Sequence, residues 1–259
     1  MQATHSERAT LEQVVRTPYV QILTYPKISL RSARSRVRQL ERLGVESLTF
    51  EGRAKIGRLG LLGIGTVGVV VKCTSGGEDY ALKIRRTDAN RPSLAVEYEL
   101  TSFANRLGVG ATVYGHTKDF LLLKLLDYVE FSDWIRELSG EGTRARARGM
   151  VHEVLNQCRK LDIMGLDHGQ LSNLRKHVVV AEGRLWIIDF ESASRSRRPS
   201  NVTSAAQYLL VGGKISPLMR RLLGVKNTEP VLTLLRDYKK ALSDIAYSRL
   251  LEYLKLAPS

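Results

Sequence analysis

Two groups of residues in this chain have types and spacings that could do chemistry. The first is Gly63-Ile64-Gly65-Thr66-Val67-Gly68, followed by Lys83 within Tyr80-Ala81-Leu82-Lys83-Ile84. Glycines let a backbone approach phosphate oxygens and offer N–H donors with no Cβ in the way. Gly63, Ile64, Gly65, Thr66 and Gly68 are therefore the expected phosphate cradle, with Lys83 a cation suited to phosphate oxygens. The second group is Asp167-His168-Gly169-Gln170, with Asp189-Phe190-Glu191 further on. A glutamine oxygen can orient a hydroxyl by accepting its hydrogen bond, whereas a carboxylate or an imidazole can also take the proton. Such an inventory suits phosphoryl transfer from a nucleotide to a hydroxyl.

Those residues need elements to hold them. The spacing Gly63, Gly65, Gly68 also occurs in dinucleotide-binding loops, but there the loop opens a helix. Here Val69, Val70 and Val71 follow, which are strand formers, so the loop joins two strands. No Walker A sequence is present. A turn at 74–79 leads into the strand of Lys83. From Pro92, the residues Leu94, Tyr98, Leu100, Thr101 and Phe103 predict a helix carrying Glu97, expected to pair with Lys83, with Glu99 as the alternative. The apolar run 120–125 is a strand; in a kinase it would be the last strand of the small lobe, and backbone groups near Lys124, Leu125 and Leu126 would then take the adenine edge. Two β-rich runs, 178–180 and 185–188, flank Glu182-Gly183 and read as a hairpin. That hairpin brings the His168 turn and Asp189 to the same end.

The remaining elements are helical. Trp134 and Ile135 begin one helix. Arg144, Arg146 and Arg148 mark either an exposed helix start or a basic patch, and Val151, Val154, Leu155 and Cys158 continue helical spacing to Gly165. After Asp189, Arg195, Arg197 and Arg198 form a cluster suited to an RNA backbone, and Pro199-Ser200-Asn201 interrupts any element. Val231, Leu234, Leu235, Tyr238, Leu242, Ile245 and Leu250 read as one apolar stripe behind Pro230. Near the N-terminus, Leu30, Ala33, Val37, Leu40 and Leu43 predict a helix over 30–43, capped by Ser29 and ended by Gly44. Arg31, Arg34, Arg38 and Arg42 share one of its faces, which is either solvated or turned to a polyanion.

Composition narrows the partners. Forty Lys and Arg against 26 Asp and Glu leave a net charge of +14, an excess that attracts polyanions such as nucleic acid. Cys73 and Cys158 are too few for a disulfide framework and read as buried thiols of an intracellular protein. No apolar run approaches the ~20 residues that span a bilayer, and the N-terminus lacks a signal-peptide pattern. The expectation is a cytoplasmic chain with no membrane partner.

The order of parts, from glycine loop through strand lysine, helix glutamate, polar turn and two short strands to an aspartate, is that of a protein kinase. In that arrangement Asp189 holds a metal ion, with Glu191 near enough to help. The His-Gly turn is similar to that of the atypical RIO-like and Bud32-like kinases. The chain most resembles an archaeal family of serine/threonine-kinase-like proteins with the patterns A-L-K-I-R-R-T-D, H-G-E-L, K-H-V and I-I-D-F-E-S-A-S. The matching residues are Ala81-Leu82-Lys83-Ile84-Arg85-Arg86-Thr87-Asp88, His168-Gly169-Gln170-Leu171, Lys176-His177-Val178 and Ile187-Ile188-Asp189-Phe190-Glu191-Ser192-Ala193-Ser194. The resemblance covers about residues 20–213.

It implies an α+β, bilobal protein-kinase-like fold with an N-terminal helical extension (1–50), a small β-rich N-lobe (51–126) and a helical C-lobe (127–259). It also implies ATP and Mg2+ as cofactors, and a kinase that phosphorylates a ribose 2′-hydroxyl in the variable loop of tRNA. Arg31, Arg34, Arg38, Arg144, Arg146, Arg195, Arg197 and Arg198 are then the expected RNA contacts. An atypical RIO-like serine/threonine protein kinase, or a catalytically silent nucleotide-binding RNA scaffold, are the alternatives.

Two departures stand out. Protein kinases carry a catalytic aspartate where this chain has Gln170, so Gln170 is read as orienting the hydroxyl, with Asp167 next as base and His168 as brace. Five residues beyond Gln170 stands Arg175, where a metal-binding asparagine is expected; His177 or Asn173 takes its place.

Overall fold

The computed structural model describes residues 6–256 as two compact units. Within the described residues, one comprises 6–102 and Ala111–Leu126, the other Phe103–Gly110 and 127–256. The composition is mixed α/β, and no helix among the described residues is long and apolar enough to cross a membrane.

The first unit runs β1 (Glu7–Thr10), α1 (Val20–Leu23), α2 (Leu30–Arg42), β2 (Val45–Phe50), β3 (Ala54–Ile56), β4 (Leu59–Leu61), β5 (Gly63–Ile64), β6 (Gly68–Ser75), β7 (Glu78–Arg85), α3 (Ala95–Arg106), β8 (Val113–His116) and β9 (Phe120–Lys124). The last turn of α3 counts with the second unit. Its sheet is antiparallel in the order β1-β2-β6-β7-β9-β8, and β5 pairs with β6. Strand alternation sorts the side chains onto two faces. Val69, Val71, Cys73, Leu82, Ile84, Phe120 and Leu122 share a core with Ala33 and Leu40 of α2. On the opposite face Leu121 packs with Val67, Leu94 and Tyr98. Lys83 stands directly across from Leu121 in the ladder, which puts it on this second face.

The sequence expectation of a helical extension over 1–50 needs correction. β1 and β2 are strands of the main sheet, so no boundary falls at residue 50. The pairing partner of β2 lies near residue 73, too distant for local patterning to show. Helix α2 forms where its spacing predicts, with the Ser29 side chain accepting from Ser32 N at 3.2 Å and Gly44 in the left-handed region. Leu30, however, is exposed; burial begins one turn later, at Ala33.

The second unit runs β10 (Val129–Glu130), α4 (Phe131–Glu137), α5 (Thr143–Ile163), α6 (Leu174–His177), β11 (Val178–Ala181), β12 (Arg184–Ile187), α7 (Asn201–Gln207), α8 (Ser216–Leu223), α9 (Glu229–Ala241) and α10 (Asp244–Tyr253). Helix α5 is continuous from Thr143, with Arg144 and Arg146 exposed on its first turn and Val151, Val154, Leu155, Cys158 and Leu161 buried. Strands β11 and β12 form the expected hairpin, with Glu182 and Gly183 both at positive φ as a two-residue turn requires. The single stripe expected over 231–250 is instead two helices. Leu242 turns left-handed, Ser243 caps α10 by accepting from Ala246 N, and Ile245 is exposed.

One buried polar network fastens α2 to the sheet of the first unit. Arg36 donates to Leu23 O at 2.5 Å and to Asp119 Oδ1 at 3.1 Å. Arg85 Nε donates to the same Oδ1 at 2.8 Å, and Gln39 Nε2 to Oδ2 at 2.8 Å. Burial would raise the Asp119 carboxyl pKa, but the Gln39 donor and the two guanidinium groups outweigh it and hold it below the usual range. Removing the carboxylate strands two cations in a buried setting, a loss of about 3–5 kcal/mol. Asp119→Ala is therefore expected to lower stability by that amount in urea unfolding; a change below about 1 kcal/mol would mean that apolar packing alone holds α2.

Candidate functional site

In the first unit the glycine loop is the tip of the β5–β6 hairpin. Gly63 pairs with Val70 and Ile64 with Val69, and Gly65 N donates to Gly68 O at 2.8 Å. Ile64, Gly65 and Thr66 are exposed at the tip, while Val67 is buried. Gly68 must be glycine for a packing reason: a Cβ there would stand 2.9 Å from Ile84 O and 3.0 Å from Lys83 Cγ. The missing side chain lets β6 close onto the stem of Lys83. The loop is also anchored from β7's end, where Arg86 N donates to Val67 O at 2.8 Å and Arg86 Nη1 to Gly65 O at 3.2 Å.

Lys83 Nζ lies 2.7 Å from Glu97 Oε1, with both side chains buried. The pair follows from two periodicities: strand alternation turns Lys83 to the α3 face, and Glu97 lies in the first turn of α3. Glu99, the alternative partner, is exposed. At the end of β9, Lys124 N donates to Thr112 O at 2.8 Å, so that N–H is occupied, and Leu125 follows outside the strand.

In the second unit the 167–170 turn and the Asp189 segment are joined directly. Asp167 and Ser194 exchange backbone hydrogen bonds of 2.9 and 2.8 Å. His168 Nε2 meets Ile188 O at 3.1 Å, and His177 O accepts from Ile188 N at 2.9 Å. The hairpin thus brings both segments to one end, as strand pairing requires. Asp189 sits at φ +67°, a left-handed conformation unusual outside glycine and of the kind that collects at functional sites. Its carboxylate and that of Glu191 are half-buried.

The His168 ring is fully buried against His177 and Phe190, with ring centroids 5.3 and 4.9 Å away. Burial is the main reason its pKa falls to about 4, with the neighbouring His177 adding to it. A neutral ring donating from Nε2 serves as a brace. Asp167 is also committed structurally: Oδ2 accepts from Arg197 Nε at 2.9 Å and Oδ1 from Ser200 N at 3.3 Å. Gln170 Oε1, like the second ring nitrogen of His168, Nδ1, is not committed in this way. Gln170 Oε1 is buried and has no hydrogen-bond partner among the described residues, an unmet acceptor that a hydroxyl could satisfy only once the side chain turns outward.

The irregular spacing after Gln170 has a structural cause. A single helical turn, α6, is inserted before β11, so Arg175 points to Glu130 (2.7 Å) and Asn173 is exposed. His177 closes α6 with its ring buried and its pKa lowered, chiefly by burial. A neutral imidazole suits softer metals than Mg2+. The hard-donor oxygens nearby are those of Asp189 and Glu191. Among the described residues no three His, Cys, Asp or Glu side chains converge as a metal cage. Mg2+ is commonly held by one or two carboxylates with substrate phosphates and water completing the shell, and the donors here fit that pattern.

The expected basic cluster is not three free cations. Arg198 donates to Lys239 O and Lys240 O at the end of α9, Arg195 lies 4.3 Å over the Phe103 ring, and Arg197 pairs with Asp167. Arg31, Arg34, Arg38 and Arg42 are exposed. A cleft of about 500 Å3 elsewhere in this unit is lined by Gly108, His152, Glu153, Asn156, Lys160 and Arg184, none of which belongs to the turn.

Sequence reasoning missed Asn201 and Asp162. Asn201 Oδ1 accepts from His168 N at 2.8 Å, and Asp162 Oδ1 accepts from Asn201 N and Nδ2 at 2.8 and 2.7 Å. A charged residue on the buried face of α5, beside Cys158 and Leu161, was the available signal for Asp162.

No family model matches the chain. It is similar to an uncharacterized protein of Methanocaldococcus jannaschii, at 29% identity over 93 residues, which make up 35% of this chain and 79% of that protein.

A pH test follows from His168. Its pKa is about 4 in the fold and about 6.5 in an unfolded chain, so between these values the unfolded state binds the extra proton. The stabilising contribution is complete above pH ~6.5 and is lost as pH falls toward 4, on the order of 1.4 kcal/mol per pH unit. Urea midpoints are expected to drop from pH 7 to pH 5, and less so in His168→Asn. Equal pH dependence in the two proteins would show that this ring is not held neutral.

Proposed function

We propose that this protein is an ATP-dependent RNA kinase that transfers the γ-phosphate to a ribose 2′-hydroxyl of tRNA. In this reading the two units are the small and large lobes of a protein-kinase-like fold. The observation that carries it is the buried Lys83–Glu97 pair, on the strand that follows a glycine hairpin. Burying two charges is costly, and their mutual attraction rarely repays the desolvation with much to spare. Such a pair is a poor stabilising device but a good way to hold an ammonium group ready for phosphate oxygens.

The residues of the second unit supply complementary roles. The unpartnered Oε1 of Gln170, buried in the conformation shown, turns outward to accept the hydrogen bond of the incoming hydroxyl and aims its oxygen. His168 and Asn201 fix the turn from which Gln170 projects. Asp189 and Glu191 are the groups that would hold Mg2+, which when bound neutralises phosphate charge. Phosphoryl transfer relies mainly on positioning and electrostatics, so an orienting amide in place of a formal base is tolerable. General-base assistance is worth roughly 10²–10⁴-fold, and its absence implies slow turnover. The net charge of +14 favours a polyanionic acceptor over a protein side chain.

The deciding experiment incubates the protein with γ-labelled ATP, bulk tRNA and a generic protein substrate. Label is expected on tRNA, and mass spectrometry then locates the nucleotide; label on protein alone would overturn the RNA assignment. Asp189→Ala is expected to reduce transfer by about 10²-fold or more, the scale seen when one transition-state charge contact is lost. Gln170→Ala should cost about tenfold, near 1.4 kcal/mol of barrier; full activity there would remove Gln170 from the hydroxyl site.

A further inference from the structure

Arg197 returns from the segment after Asp189 to lie on the Asp167–Gln170 turn. Its Nε donates to Asp167 Oδ2 at 2.9 Å and its Nη2 to Ser192 O at 2.5 Å. Nη2 also fills the space above Gly169, where any Cβ would collide with it and with Ser192 O. Gly169 has φ +83°, so both conformation and space demand glycine there. The guanidinium is therefore held at two nitrogens over backbone, one residue from Gln170. No described residue accepts from its third nitrogen, Nη1. The Arg197 side chain is 50% exposed while its Asp167 partner is only 10% exposed, so the solvent side of the pair presents N–H donors.

A surface arginine ordinarily loses rotamer freedom on binding an anion. Here the fixed fork has already lost most of it, and a planar guanidinium matches phosphate oxygens well. We propose that Arg197 is a specificity residue, whose Nη1 donates to the phosphodiester beside the hydroxyl that Gln170 orients. This rests on the RNA-kinase reading. Within an RNA strand each internal ribose 2′-hydroxyl adjoins its own 3′-phosphodiester, whereas a serine or threonine hydroxyl has no such neighbour. One cation next to the acceptor turn thus selects a nucleic-acid hydroxyl over a protein one. The pairing with Asp167 keeps that cation in place and withholds the Asp167 carboxylate from use as a base.

The test crosses a protein change with an RNA change. A tRNA is assembled with an uncharged methylphosphonate 3′ to the nucleotide that receives phosphate, and is compared with natural tRNA using wild type, Arg197→Gln and Arg197→Lys. For the wild type, the methylphosphonate is expected to lower kcat/KM about tenfold. Arg197→Gln is expected to lose about tenfold on natural tRNA and nothing further on the modified one. Arg197→Lys, retaining charge, should stay sensitive to the methylphosphonate even if Arg197→Gln fails to fold. The slope of log KM against log salt should also fall by just under one in Arg197→Gln. Equal methylphosphonate losses in wild type and Arg197→Gln, or indifference of the wild type or of Arg197→Lys to the modification, would overturn the assignment. Absence of any transfer from wild type to natural tRNA would instead overturn the RNA-kinase reading, and this inference with it.

Discussion

One buried carboxylate organises the second unit. Asp162, near the end of α5, accepts from Asn201 N, Asn201 Nδ2, Val202 N and Tyr238 Oη at 2.7–3.1 Å. Burial pushes its pKa up, and the four donors pull against that shift. A carboxylate so placed costs several kcal/mol unless nearly every lone pair is met, and here nearly every one is. What the fold gains is geometry. Through Asn201 the same node reaches His168 N and Leu166 O, so the start of α7 and the His168 turn cannot move independently. Through Tyr238 it reaches Arg159, which continues to Leu242 O and Asp244. Three helices and the turn are thereby indexed to one side chain.

The first unit solves a similar positioning problem with apolar alternation. Lys83 has a long, flexible stem, and its terminus is useful only if that stem is confined. Leu82 and Ile84 commit the strand to one core, so Lys83 must emerge on the opposite face, against α3. Gly68 then lets the neighbouring strand lie on the stem, and Glu97 takes the ammonium. Arg86 extends the device by tying β7 to both carbonyls of the loop tip, at Gly65 and Val67. The Arg85-Arg86-Thr87-Asp88 run is accounted for in the same way. Arg85 joins the Asp119 network, Thr87 bonds to Thr24 O and Tyr25 O, and Asp88 pairs with Arg86.

The legible parts of this molecule were those governed by local rules. Ser29, the spacing to Leu40 and Gly44 define α2; Val69 to Val71 distinguish a hairpin loop from a helix-opening one; Glu182-Gly183 marks the β11–β12 turn. Each depends on residues within a few positions of one another. Illegible features depend on distant partners. Arg36 stands in a helix with four other arginines, and its buried role depends on Asp119, 83 residues away. Strand β1 earns its place only through pairing with β2, and β2 through β6. Leu242 has no glycine-like signature, and its left-handed backbone follows from where α10 must start. Arg197 was visible as a charge, but its contact with the 167–170 turn was not, since glycine at 169 announces space without naming what fills it.

These placements also change the meaning of the net charge. A formal +14 treats all cations alike, yet many are already engaged. Arg36 and Arg85 neutralise Asp119, Arg86 holds a loop, Arg159 joins helices, and Arg198 covers the last carbonyls of α9. A polyanion would meet the cations left exposed, among them Arg31, Arg34, Arg38 and Arg42 on α2, and Arg144 on α5. Those on α2 stand at three- and four-residue steps and repel one another by a few tenths of a kcal/mol per pair. Phosphates would relieve that repulsion, so this helix face gains more from a polyanion than the same charges scattered. Such contacts give affinity without chemical choice. In the proposed reaction, choice requires a donor fixed next to the reacting hydroxyl, so a single restrained arginine would matter more to specificity there than a row of mobile ones.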